Sequence, residues 1–205
     1  MKVIFLCLGV VIITSTVLLV LSRKRKGRAE TSSPNRIEQK ESRYQTLHRH
    51  IMPFSDDVVA SDYWGDDYIK VVQTELKAFD EDDWAELRAD LAGQSEPWLL
   101  RLCEAARNVG GDSAEALLLE NINHPHKDIA FVCLEGLQGV PGIKSHADRV
   151  LAAIERVYPS LGRLEQAVMN EFKDALAGIE RSGTKMERIK EYMRKTAPPH
   201  AESPE

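Results

Sequence analysis

Five aspartates, Asp56, Asp57, Asp62, Asp66 and Asp67, fall within twelve residues and enclose the aromatic pair Tyr63 and Trp64. Carboxylates at such density speed the approach of a basic partner, and Tyr and Trp are enriched among residues that carry binding energy at interfaces. These seven side chains are the candidate partner-binding set, with a solvated acidic cap as the plainer alternative. Other chemistry finds less support. His48 and His50, like His124 and His126, are two apart, a spacing that does not put both imidazoles on one helical face. No cysteine or carboxylate cluster completes a ligand set around them, so neither metal nor cofactor is expected. Glu104 and Glu135 read as residues of solvated helix faces. Serines, cysteines and histidines form no nucleophile–base pattern, and no glycine-rich phosphate loop follows a strand. An enzyme is not expected.

A second charged cluster has a different partner. Arg23, Lys24, Arg25, Lys26 and Arg28 follow Val3 to Leu21, nineteen residues without a charge. About twenty apolar helical residues span a bilayer core, and flanking Lys and Arg stay on the cytoplasmic side. The expectation is one transmembrane anchor over residues 1–22 with its N-terminus outside. A basic, polar linker over 23–54 would rest on anionic head groups, and the soluble domain would be cytoplasmic beneath the inner (plasma) membrane. The three cysteines, Cys7, Cys103 and Cys133, are too scattered for a disulfide framework. Charge is uneven: residues 1–54 carry ten basic and three acidic side chains, residues 55–90 three basic and twelve acidic ones. An acidic domain lacks the basic stripe of a nucleic-acid binder.

The elements that must position the acidic cluster are helices. Tyr68, Ile69, Val72, Leu76 and Phe79 recur at three- and four-residue spacing, as do Trp84, Leu87 and Leu91 after Asp80 to Asp83. Ser95 and Pro97 open a helix that buries Trp98, Leu99, Leu102, Cys103 and Ala106. Further stripes hold Leu117, Leu118 and Ile122; Ile129, Val132, Cys133, Gly136 and Leu137; and Val150, Leu151, Ile154 and Val157. Leu161, Leu164, Val168, Phe172, Leu176 and Ile179 form the longest, and a weaker helix holds Met186, Ile189, Tyr192 and Met193. No β alternation occurs. The expected domain is all-α over 55–196, with a disordered tail over 197–205.

A shift of 31 residues superposes Trp98-Leu99-Leu100 on Ile129-Ala130-Phe131 and Leu87 on Leu118. Units of two helices that cannot bury their apolar faces alone stack on one another. Glu120 to Val140 resembles the second half of a HEAT repeat, with Ile129, Cys133 and Leu137 in the apolar places and Ala130 where the usual Arg would stand. Asp82 to Gly110 is similar to a segment of small helical immunity proteins encoded beside bacterial toxins. The resemblance implies a right-handed stack of antiparallel helix pairs, a HEAT-like α-solenoid. It also implies a binding module that occludes a protein partner, such as a cognate toxin with a basic surface. The alternative is an adaptor or scaffold of a membrane complex with no toxin partner.

Overall fold

A computed structural model describes residues 41–55, 63–179 and 182–196 of the chain. The compact helical unit begins at Glu41, before the boundary expected at Ser55. Helix α1 (Arg43–Ile51) opens with a reciprocal cap, Ser42 accepting from the Gln45 N–H while the Gln45 side chain accepts from the Ser42 N–H. It buries Tyr44, Leu47 and Ile51 and continues through a 3-10 turn, Met52–Phe54, that buries Phe54. The end of the expected linker is therefore part of the core. The Tyr44 hydroxyl hydrogen-bonds Asp90, which also accepts from Gln94 at 2.6 Å.

A π-helical turn, Trp64–Tyr68, leads into α2 (Ile69–Lys77), which buries Val72 and Leu76. Asp80 caps α3 (Glu81–Asp90), its Oδ1 accepting from the Asp82 and Asp83 N–H groups at 3.1 Å each. Glu81, Asp82 and Asp83 occupy the first turn, where the helix dipole favours negative charge. Ser95 caps α4 (Glu96–Ala106), which buries Trp98, Leu99, Leu102, Cys103, Ala105 and Ala106. Gly110 and Gly111, both at positive φ, turn the chain into α5 (Asp112–Asn121). The remaining helices are α6 (Lys127–Gly136), α7 (Ala147–Val157), α8 (Arg163–Leu176) and α9 (Lys185–Lys195). Among the described residues the protein is all-helical, with nine α-helices and no strand.

Packing follows an alternating rule. Helix α2 lies against α4, α4 against α6, and α6 against α8, while α5 touches both α4 and α6, and α7 both α6 and α8. Helices α4 and α6 come close at Gly136. A Cβ added to Gly136 would stand 2.6 Å from Arg107 Cβ and 3.0 Å from Arg107 Cα. Only glycine lets the two backbones come this near.

Two expectations are corrected here. The stripe on α8 is rotated: Met169 and Phe172 are buried, while Leu164 and Ile179 are 57% and 52% exposed. Five residues separate Leu164 from Met169, ~140° around the helix, so both cannot face the core. The single-pass membrane localisation is corrected as well. No helix among the described residues is long and apolar enough to cross a membrane. The longest, α8, has 14 residues, ~21 Å at the helical rise, against a hydrocarbon core of ~30 Å. Residues 3–21 and the basic cluster Arg23, Lys24, Arg25, Lys26 and Arg28 lie outside the described residues.

The Gly136 contact makes a sharp prediction. Alanine is the better helix former by ~1 kcal/mol, yet Gly136→Ala should destabilise the chain by ~1–3 kcal/mol, the usual cost of overpacking. Urea unfolding measures it, and a variant as stable as the parent would mean a looser α4–α6 contact. A second prediction concerns Tyr44, whose hydroxyl is pushed well above its ordinary value by burial and then by the Asp90 carboxylate. A raised folded value contributes stability in full below the unfolded value of about 10, and that contribution is lost as pH rises through the folded value. The stability gap between the parent and Tyr44→Phe should therefore narrow above about pH 10; a gap constant across that range would contradict it.

Candidate functional site

The corner that holds Trp64 and its aromatic neighbours is built from three pieces of chain. Phe54 closes α1, Trp64 and Tyr68 lie on the π-helical turn, and Arg101 and Glu104 come from α4. Phe54 is the hub, its ring centroid 4.6 Å from Tyr68, 5.2 Å from Trp64 and 6.2 Å from Tyr63. The Trp64 indole N–H donates to Glu104 Oε2 at 2.7 Å, and Arg101 Nη1 donates to the same oxygen at 2.9 Å. Arg101 also places its guanidinium 5.6 Å from the Trp64 ring centre and donates from Nε to the Phe54 carbonyl at 3.3 Å. Alongside, His50 Nδ1 meets Glu75 Oε1 at 2.6 Å, and the His50 ring stands edge-on to Tyr68.

Four of the seven candidate residues, Tyr63, Trp64, Asp66 and Asp67, lie among the described ones. Trp64 is 2% exposed, so the expectation of an accessible indole anchor is corrected. Its ring gains more by packing on Phe54, and Glu104 satisfies the one polar atom that burial would otherwise strand. Tyr63, the neighbour that the turn sends outward, is 57% exposed and packs against Phe54 and, at 5.7 Å, Tyr68. Asp67 is exposed beside Lys70, 3.9 Å away. Asp66 contributes its backbone to the π turn. Asp56, Asp57 and Asp62 lie outside the described residues.

Sequence reasoning overlooked Arg101 and misplaced Glu104. The signal was the three-residue spacing of Arg101 and Glu104, which places both on one helix face. Glu135, its repeat counterpart, is also paired, accepting from Arg107 Nη1 at 2.5 Å. Both glutamates thus join helices to neighbouring elements rather than facing solvent alone. The histidines serve local packing: His124 Nδ1 accepts from the His126 N–H at 3.1 Å, and His48 lies 5.4 Å from the Trp98 ring. Among the described residues no group of three or more His, Cys, Asp or Glu is arranged to hold a metal ion.

Two cavities lie apart from this corner. One of about 710 Å³ opens where the α2–α3 and α4–α5 turns meet, between Phe79 and Trp84 on one side and Gly110 to Asp112 on the other. Asp80 on its rim is committed to capping: the Asp83 backbone and the nearby Arg43 hold its carboxyl below the ordinary value. The other, about 610 Å³, separates α8 from α9 and is lined by polar groups that pair across it. Arg188 Nε donates to Glu171 at 2.6 Å across it, and Tyr192 on its wall meets the hydroxyl of Tyr158, from the turn after α7, at 2.8 Å.

The two neighbouring aromatics should respond differently to truncation. Trp64→Ala should cost ~3–5 kcal/mol, as other large core aromatics do, whereas Tyr63→Ala should change stability by less than ~1 kcal/mol, in the range of exposed positions. Equal losses in thermal or urea unfolding would contradict the inward and outward assignment.

No protein-family model matches the chain, and neither a curated protein nor a solved structure matches it.

Proposed function

We propose that this chain is a helical-repeat protein-binding module that meets a partner with a basic surface through the acidic corner around Tyr63. The finer fold reading belongs to the same proposal: a HEAT-like stack in which α2, α4, α6 and α8 form one layer. Its support is the packing of each even-numbered helix on the next-but-one, with α5 and α7 bridging successive members. The similarity of Asp82 to Gly110 to immunity proteins makes a toxin the favoured class of partner.

One observation carries the proposal. Tyr63 is an exposed aromatic held from beneath by Phe54 and Tyr68, beside the exposed carboxylate of Asp67. A side chain held in place before binding loses little further entropy when a partner arrives, so more of its contact energy appears as affinity. Asp56, Asp57, Asp62, Asp66 and Asp67 supply the steering charge in the same stretch of sequence. Trp64 acts on the partner only through Tyr63, by fixing the turn on which both sit.

The experiment uses the full chain and the product of the reading frame adjacent to its own gene, titrated at several salt concentrations. A complex is expected whose association slows as salt rises. Neutralising the five aspartates should slow association and flatten that salt dependence, because exposed charges act mainly on encounter. Tyr63→Ala should instead speed dissociation and cost ~2 kcal/mol or more, in the range of interface hot spots. Lys144→Ala, an exposed change in the turn before α7, is the silent control. An affinity indifferent to both Tyr63 and the aspartates would remove this corner from the interface. Absence of any complex with that neighbour would favour an adaptor role without a toxin.

A further inference from the structure

Cys103 and Cys133 lie on α4 and α6, the helices that meet at Gly136, and both are fully buried. The approach can be bounded. An ideal Gly136 Cβ would stand 3.0 Å from Arg107 Cα, so with a C–C bond of ~1.5 Å the two Cα atoms are within ~4.5 Å. Cys133 precedes Gly136 by three residues and Cys103 precedes Arg107 by four, one helical turn back along each helix. That step leads from the Gly136 contact to the two thiols. A disulfide needs Cα atoms ~4.4–6.8 Å apart, a range that this closeness brings within reach.

We propose that Cys103 and Cys133 are an oxidative modification site, closed to an intramolecular disulfide by a low-molecular-weight disulfide such as oxidised glutathione. When α4 and α6 part locally, a native-state opening short of unfolding, one cysteine thiolate attacks the oxidant's S–S bond, which breaks and releases the first glutathione thiolate, leaving a mixed disulfide. The second cysteine thiolate then attacks the protein sulfur of that mixed disulfide and expels the second glutathione thiolate. The protein loses two electrons and two protons, and the oxidant becomes two molecules of reduced glutathione. The bond staples α4 to α6 and fixes the contact on which their register depends. Contact with the Cys103 thiol, and then burial, pushes the Cys133 thiol well above its ordinary value. Since the thiolate is the attacking species, closure is slow at neutral pH and quickens as pH rises.

The test uses the full chain carrying Cys7→Ser, so that only this pair can react. The folded protein is incubated with oxidised glutathione at pH 7 and pH 9 and followed by intact mass, peptide mapping and urea unfolding. The expected product has lost two hydrogens and carries a Cys103–Cys133 cross-linked peptide. It forms faster at pH 9 and unfolds at higher urea than the reduced chain, because a cross-link restricts the unfolded state. Cys103→Ser and Cys133→Ser should each fail to give it. Glutathione adducts on separate cysteines, or thiols that both remain free to alkylation after denaturation, would each overturn the proposal.

Discussion

The contact between Gly136 and Arg107 is the constraint on which the rest of the packing depends. A missing side chain lets α6 settle against the backbone of α4, and the same approach brings Leu118 of α5 to 3.0 Å from where a Cβ would stand. Three helices therefore meet at one glycine. Because interiors are close-packed and respond to a single methylene, this point limits how α4, α5 and α6 can slide on one another. Ile129, Cys133 and Leu137 extend the buried seam along α6, while α7 and α8 build outward from the far side of the same helix. Glycine in a helix costs ~1 kcal/mol of propensity. Closer packing over the whole seam offsets that cost.

Charge is handled by a second rule. No polar or charged residue is wholly buried among the described residues, so the core is apolar and ionic groups stand at its edge. There they pair: Arg101 with Glu104 within α4 beneath Trp64, Arg107 with Glu135 across α4 and α6, and Arg188 with Glu171 between α8 and α9. These side chains are partly buried, 10–34% exposed, so leaving either partner unpaired is costly, and pairing restricts which registers are allowed. The α8–α9 contact rests most heavily on such pairs. Helix α9 buries only Ile189, and Arg163 adds a hydrogen bond to the Met193 carbonyl at 2.5 Å.

Much of this was legible in the sequence because amphipathic helices write their period into it. The stripes of α2 to α7 and the start of α4 at Ser95 appear where local chemistry demands them. What failed depended on tertiary context. Tyr44, Leu47 and Ile51 stand among Arg and His residues and read as linker, because their apolar partners lie on α2, α3 and α4. Leu164 fits a helical stripe, but Met169 and Phe172 set the rotation of α8, and a period alone does not fix which side of a stripe is its edge. Glu104 looked solvated because its partner, Trp64, is 40 residues away. The acidic cluster was visible as composition, while the inward turn of Trp64 depends on Phe54, Arg101 and Glu104 together.

That inward turn changes what the corner can do. An exposed Trp64 beside an exposed Tyr63 would form a large apolar patch, favourable to association but poorly discriminating. Burying the indole leaves one aromatic at the surface, and the Trp64–Glu104–Arg101 network fixes the turn that carries it. Specificity is a difference between affinities, and a single rigid ring bordered by a carboxylate penalises an acidic or ill-fitting partner more than a soft patch does. Arg101 is essential to this arrangement because it neutralises Glu104 from within. The carboxylate can then accept the indole N–H without adding a further negative charge to the corner. In the proposed binding role the outer acids meet the partner, while Glu104 holds the turn that carries Tyr63.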